Sequence, residues 1–174
     1  SANALWIAGG DQSTYIALWK GTRLNTTIAT LLQNDIPVGG TSAGANVLGQ
    51  FVFSAANGTV TSAQALGDPY NPYMTFDPTP FAGTSFLNVA ALGNTFVDPH
   101  FDSRDRMGRL VSFVGRTIRL SGTAGCDGGI LSTPWSARGI GIDVETALTV
   151  QRSQGRYLAR RMTNVSTTST SAVH

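Results

Sequence analysis

The stretch VGGTSAGANVLGQ at residues 38–50 decides how this chain is read. Within it, Gly40-Thr41-Ser42-Ala43-Gly44 is a G-x-S-x-G pentapeptide. The apolar Ile36-Pro37-Val38 precedes it, and a helix-compatible run from 43 to 50 follows. Strand, sharp turn and helix form the setting in which a serine is exposed as a nucleophile. Such a turn brings neighbouring backbone close to the serine, and only small residues beside it leave room. A helix beginning at Ser42 turns its unpaired N–H groups and positive dipole end towards the reacting oxygen. The pentapeptide also arises by chance in chains rich in Gly and Ser, so its partners have to be found elsewhere.

Upstream, ALWIA at 4–8 is a short apolar run closed by Gly9-Gly10, the pattern of a buried strand ending in a turn. Tyr15, Ile16, Leu18 and Trp19 suit one face of a helix over 12–22. Leu24, Ile28, Leu31 and Leu32, at helical spacing, predict a second helix over 24–33. Asn34-Asp35 then breaks into a strand at 36–38 that feeds the pentapeptide. Strand, helix, strand, helix in that order predicts an α/β fold with a parallel sheet.

Downstream, Asn57-Gly58 is a hairpin signal, 61–66 suits a short helix, and the proline-rich 67–80 reads as a long loop. A strand over 92–97 leads into Asp98-Pro99-His100, and a helix over 105–116 has Met107, Leu110, Val111 and Val114 on its apolar face. Strands are expected at 117–120, 129–131, 138–142 and 147–150, separated by turns at Gly122, Gly125 and Gly128-Gly129, with 151–161 as a last basic strand or hairpin arm. A length of 174 residues suits one domain, placed at 1–162, followed by a Ser/Thr-rich tail over 163–174.

Composition narrows the function. The 12 basic and 10 acidic residues leave a net charge of +2, too little to argue for nucleic acid. The positive charge gathers in 104–119 and 152–161 without the interleaved aromatics of a base-stacking platform. No apolar run approaches the roughly 20 residues of a membrane span. The single Cys126 excludes an internal disulfide and a cysteine-based zinc site, and no metal or cofactor is expected. The chain begins Ser-Ala-Asn-Ala without a signal peptide, as a mature, processed or truncated product would. Sequons at Asn25, Asn57 and Asn164 point to a secreted glycoprotein.

A serine nucleophile needs a base, and elimination finds one. Of the two histidines, His174 ends the tail, which leaves His100 after a strand end, where open α/β sheets carry their sites. Around it, residues 98–109 pack three acids and three arginines into DPHFDSRDRMGR. Asp102 or Ser103 as N-cap and Asp105 in the first turn explain the acids. Arg104 and Arg106 are unfavourable at a helix start and suggest a pocket for an anionic group, because guanidinium forks bind carboxylates bidentately. For an oxyanion hole, the N–H of Ala43 is one natural donor. Gly9-Gly10 is either the source of the second or an ordinary strand-to-helix turn.

AGGDQ at 8–12, GGTSAGA at 39–45, DPHFDSRDRMGRL at 98–110 and RGIGIDVETAL at 138–148 together resemble the cyanophycinase and dipeptidase E-like serine peptidases, over nearly all of 4–150. The resemblance implies a flavodoxin-like three-layer α/β sandwich with a mostly parallel central sheet, related to the class I glutamine amidotransferases. It also implies hydrolysis of peptide bonds at acidic residues. By position, Ser42 becomes the nucleophile and His100 the base, with Gly10 and Ala43 as the oxyanion hole. Gln12, Asp98, Arg104, Arg106 and Arg109 match positions lining the substrate pocket.

Three departures from that pattern shape the expectations. Pro99 stands where cyanophycinases carry Gln, which argues for a substrate other than cyanophycin. The family places an acid shortly after the serine to orient the histidine, and that window here holds Asn57 and no acid. Asp68, Asp98, Glu145 or the neutral Gln64 would have to serve, or nothing does. Family members also carry further strands before the AGGDQ strand, so a sheet without them is expected to have an exposed edge, covered by a partner chain from the same precursor or by oligomerisation.

The leading expectation is therefore a secreted serine peptidase acting on a peptide or isopeptide bond beside an acidic residue, through an acyl-enzyme on Ser42. The alternative is a catalytically silent structural or self-assembling glycoprotein on the same fold. A serine esterase fits less well, since those folds place the histidine much farther along the chain from the serine.

Overall fold

β1 (Leu5–Ile7) and β2 (Val38–Gly40) run parallel, with Leu5 opposite Val38 and Ile7 opposite Gly40. The structure, a computed structural model, describes residues 2–120, 126–163 and 173–174. Two helices join this first pair, α1 (Gln12–Trp19) and α2 (Arg23–Gln33). Asp11 starts α1 by accepting from the Ser13 N–H at 2.9 Å, which satisfies one of the donors a helix start leaves open. Ile28 of α2 is buried with Ile7, Val47, Val52, Phe86 and Leu87 in one of two apolar clusters.

The predicted hairpin at Asn57-Gly58 is not formed. The turn closes through Gly58 N–H to the Ala55 carbonyl at 2.9 Å. The chain then enters α4 (Ser62–Gly67), the short helix expected over 61–66, which Thr61 and Gln64 start through a reciprocal capping box. β3 (Val52–Phe53) pairs instead with β4 (Phe76–Asp77), inside what reads as a loop in sequence.

β5 (Thr95–Pro99) and β6 (Arg138–Ile142) form the second parallel pair, in register from Thr95 opposite Arg138 to Pro99 opposite Ile142. The connecting helix α5 (Met107–Arg116) starts later than expected, with Arg106 in the N-cap position and no side-chain cap. The caps expected at Asp102 and Ser103 are engaged elsewhere. Asp102 Oδ2 lies 3.0 Å from His174 Nε2, and the Ser103 N–H donates to Asp143. Leu110 and Phe113 point inward to join Phe51, Phe53, Phe76, Phe81, Phe96 and Phe101 in the second cluster. Phe53 and Phe113 stack at 4.8 Å, a geometry worth about 1 kcal/mol beyond simple burial.

The strands expected at 117–120 and 129–131 reduce to one bridge between Ile118 and Leu131. β7 (Thr146–Ser153) and β8 (Arg156–Thr163) form an antiparallel ribbon, so the basic arm read from sequence exists and extends farther than expected. Of the tail, Val173 lies antiparallel to Ile142 and His174 exchanges two backbone hydrogen bonds with Gly141. Gly122, Gly125 and Asn164 fall outside the described residues.

The architecture is α/β and compatible with a flavodoxin-like fold. The expected continuous parallel sheet is broken into two-stranded pairs. One reason lies between β2 and β5. The carbonyls of Thr95 and Val97 are taken by the Phe51 N–H at 3.2 Å and by Asn46 Nδ2 at 3.0 Å. The segment after Ser42 thus occupies the hydrogen-bonding edge that a neighbouring strand would use. Among the described residues no helix is long and apolar enough to cross a membrane.

Candidate active site

Ser42 stands at the end of β2 with φ 54° and ψ −122°, a backbone state rarely held by a residue other than glycine. Its neighbours explain how it is held. The Thr41 N–H donates to the Ile7 carbonyl at 3.0 Å, tying the turn to β1. A Cβ on Gly44 would lie 2.1 Å from the Ile7 carbonyl oxygen, and one on Gly40 would lie 2.2 Å from that of Gly44. Both glycines of the pentapeptide are therefore required by close backbone packing. The helix that follows is a single turn, α3 (Ala43–Asn46), rather than the run to residue 50. It ends early because the chain must turn along β5, where a Cβ on Gly49 would meet the Thr95 carbonyl oxygen at 2.6 Å.

His100 follows β5 directly and also has φ 54°. Its Nε2 lies 2.9 Å from Ser42 Oγ. The bond from buried Asn46 to the Val97 carbonyl sets this distance, since it joins the turn bearing the serine to the strand bearing the histidine. A cavity of about 520 Å³ opens beside the pair, with Trp6, Thr41, Asp143 and Glu145 on its walls and Val97 and Leu148 among its apolar lining. Trp6 is two-thirds exposed, lies over Gly39 and donates from Nε1 to Thr41 Oγ1 at 3.1 Å. Sequence reading placed Trp6 in a buried strand and missed this exposed wall.

Burial is the largest influence on His100 and lowers its pKa, and Arg104 and Arg106 lower it further. Asp143 and Asp98 oppose them. The net direction is down, which keeps the imidazole neutral and able to accept a proton at neutral pH. For Asp143, burial pushes the carboxyl up, but hydrogen bonds from the backbone of Ser103 and Val144 and from the Ser103 side chain outweigh it, and the net shift is down. Asp143 is thus an ionised acid acting on His100 from the end of β6, the strand paired with β5. It follows RGIGI at 138–142, and its position one residue past the partner of the histidine's strand was the available signal.

The acids proposed from sequence to orient His100 are placed differently. Gln64 is engaged in the capping box of α4, and Asp68 Oδ1 accepts from the Tyr70 N–H at 2.9 Å. Glu145 lines the cavity with positive φ but is not among the groups that shift His100. Asp98 is 1% exposed and grips Arg109, itself 3% exposed, through hydrogen bonds of 2.8 and 2.5 Å. Arg109 also lies over the Phe53 ring at 5.1 Å, so this pair is an interior brace beneath the histidine turn. Arg106 reaches the Pro99 carbonyl at 2.5 Å and Asp98 at 3.4 Å. Burial, then repulsion from Arg109, lowers the Arg106 pKa to about 10 against the pull of Asp98, and it remains a cation at neutral pH. Arg104 is exposed and, among the described residues, makes no ion pair.

The expected oxyanion donors lie on the two turns that meet at Ser42. Ala43 is the first residue of α3, where a backbone N–H has no acceptor within the helix. A Cβ on Gly9 would stand 3.1 Å from Ser42 Cβ, so the Gly9-Gly10 turn passes directly against the serine. Gln12 donates from Nε2 to the Phe53 carbonyl at 3.3 Å. Of the sequons, Asn57 is exposed, whereas Asn25 is half-buried and donates to the Phe86 carbonyl at 2.8 Å. Among the described residues no cluster of three His, Cys, Asp or Glu side chains could hold a metal ion.

Two comparisons bear on this site. Over 152 residues the chain is 26% identical to a protein named Cyanophycinase from Geminocystis herdmanii (strain PCC 6308), covering 87% of this chain and 44% of that protein. The chain therefore spans less than half the length of the curated relative it matches. The model of Peptidase family S51 matches residues 1–119, a stretch that holds the serine turn, the histidine turn and the arginines between β5 and the end of α5. With more than half of its length matched in this way, the chain belongs to peptidase family S51.

Proposed function

We propose that this chain hydrolyses a peptide or isopeptide bond next to an acidic residue, with Ser42 as nucleophile and His100 as general base. The observation that carries the reading is the 2.9 Å contact between His100 Nε2 and Ser42 Oγ at a strained turn. As Oγ forms its bond to the carbonyl carbon, His100 takes the hydroxyl proton, and the carbonyl oxygen becomes an oxyanion. The N–H groups of Ala43 and Gly10 are the proposed donors to that oxyanion, each such donor being worth about 10²–10³ in rate. His100 then passes its proton to the departing amine, the C–N bond breaks, and the acyl-enzyme remains. Water, deprotonated by His100, attacks the ester and releases the acid, and the proton returns to Ser42 Oγ.

Preference for an acidic neighbour is supported by Arg104 and Arg106, whose positive charge already acts on His100. Arg106 is committed to Asp98 and Pro99, so Arg104 is the arginine we assign to the substrate carboxylate. The experiment is turnover of acidic and neutral dipeptides, and of a β-aspartyl isopeptide, by the wild type and Ser42→Ala. Loss of acidic-substrate turnover in the variant supports the mechanism, and equal turnover in both overturns it.

One observation favours the silent reading. Among the described residues the only side-chain hydrogen bond of His100 is the one to Ser42, so Asp143 acts on the imidazole by charge without gripping Nδ1. A fluorophosphonate probe decides between the two. Covalent labelling of Ser42 removes the silent reading, and an unlabelled, folded protein establishes it.

A further inference from the structure

The β7–β8 ribbon grows out of the wall of the active-site cavity, where Leu148 and Val150 of β7 line the same space as Ser42 and His100. Beyond that wall the eight residues of β8 are all exposed, and among the described residues β8 pairs only with β7. An eight-residue strand with one edge unpaired presents a row of N–H and C=O groups that another chain can complete. The ribbon is also strongly one-signed. Arg152, Arg156, Arg160 and Arg161 supply four of the protein's 12 basic residues, and 146–163 contain no acid. Among the described residues none of the four takes part in an ion pair.

We propose that this ribbon is a docking arm for an extended acidic polypeptide, which adds as a third strand along β8. The ladder fixes which side chains such a strand would meet. Arg156, Leu158 and Arg160 share one face, because alternate residues of a strand point the same way. A partner strand reading acidic, any, apolar, any, acidic sets carboxylates against the two guanidinium groups and an apolar side chain against Leu158. Cross-strand pairs of opposite charge and of apolar groups both favour such pairing, and arginine adds forked hydrogen bonds to carboxylates.

Other occupants fit less well. A second copy joined edge to edge through β8 would bring Arg156, Arg160 and Arg161 against the same three residues, with no acid in either ribbon to offset them. Nucleic acid could use the charge but not the free backbone edge, and Tyr157 is the ribbon's only aromatic. An arm that captures an acidic chain beside the cavity deepens the proposed function and, as a feeder of substrate, rests on that reading of Ser42.

Binding is measured with the full chain carrying Ser42→Ala, so that no outcome depends on turnover. The probe is a fluorescent peptide of the pattern above, followed by anisotropy at about 0.15 M salt. Three comparators accompany it: the peptide with Lys for each acid, the peptide N-methylated at alternate amides, and an oligonucleotide of equal charge. The expected result is binding of the acidic peptide, weakened about ten-fold both by N-methylation and by Arg156→Gln with Arg160→Gln. Turnover of a small acidic dipeptide by otherwise wild-type protein should be untouched by the arginine pair. No binding, equal binding of the N-methylated peptide, equal binding of the oligonucleotide, or dimerisation through β8 each overturns the arm. N-methylation tests the edge without altering the protein, so a variant that fails to fold does not rescue the proposal. Failure of binding with dipeptide cleavage intact removes the arm alone, whereas binding without any cleavage by wild type removes only the hydrolytic reading.

Discussion

Ser42 and His100 share a backbone state, φ 54° at each, and their side chains meet at 2.9 Å. Ser42 comes two residues after β2 and His100 directly after β5, strands of different parallel pairs, and each is turned out of the extended path where the chain leaves the sheet. Positive φ at a residue with a Cβ costs about 1–3 kcal/mol and persists only where the surroundings enforce it. At Ser42 the enforcing parts are Gly40, Gly44 and the bond from Thr41 to Ile7. Replacing Ser42 with Gly relieves that strain, so Ser42→Gly should raise the unfolding free energy by about 1 kcal/mol while abolishing acylation. Ser42→Ala should abolish acylation without the gain. Denaturant midpoints of the two variants, read beside fluorophosphonate labelling, test this directly.

The close backbone packing of the turn predicts an opposite pair of glycine substitutions. In Gly44→Ala the new methyl overlaps the carbonyl oxygens of Ile7 and Ala8, at 2.1 and 2.7 Å. Backbone on both sides has to move, a strain that costs about 1–3 kcal/mol and shifts Ser42 away from His100. A Cβ on Gly115, near the end of α5, meets nothing within 4 Å. Gly115→Ala should therefore stabilise by about 0.5–1 kcal/mol through helix propensity alone. Thermal melts of both variants provide the comparison, and equal effects would refute the account of the turn.

Asp98 and Arg109 support the histidine turn from inside. Removing one partner leaves a charge in the core, so Asp98→Ala should cost about 3–5 kcal/mol. Replacing both, as Asp98→Leu with Arg109→Met, should cost much less than the sum of the single changes, because no unpaired charge remains. Exposed Arg104→Gln should change stability by less than about 0.5 kcal/mol. A double-mutant cycle by chemical denaturation reads all of these, and additive single effects would show that the pair is not a unit.

The parts of the site legible in the sequence are those whose chemistry is local. Gly40 and Gly44 flank a serine at one strand end, and the scarcity of histidine singles out His100 at another. The charges around them were not sorted by sequence, because sorting depends on depth. Asp98, Arg106 and Arg109 read as pocket residues together with Arg104, yet the inward face of α5 takes Arg109 into the core against Asp98 of β5 and leaves Arg104 outside. Asp143 was missed because His100, which follows β5, lies 43 residues earlier in the chain, and only the β5–β6 register brings the two strand ends together. In the fold, the helices α1 and α2 formed where the periodicity placed them, although Leu18 and Leu24 of the expected apolar faces are exposed. The hairpin at Asn57-Gly58 did not form, since the capping box three residues later outweighed the turn signal.

The charges facing His100 also determine its pH behaviour. Burial, Arg104 and Arg106 disfavour the imidazolium, and Asp143 and Asp98 favour it, with a net pKa below the ordinary 6.5. A general base works in its neutral form, so kcat/KM should hold as pH falls to 6.5 and decline only below it. Arg104→Gln removes a repulsive cation and should move this acid limb upward in pH. Asp143→Asn removes an attractive anion and should move it downward, with little loss of rate at neutral pH if the acid acts by charge alone. The same depression affects stability. Below 6.5 the unfolded histidine binds a proton that the folded one resists, so this group's contribution is full above 6.5 and is lost as pH falls through the folded value. A pH–rate profile of the three proteins is the measurement, and shifts of the two variants in the same direction would refute this electrostatic picture of the site.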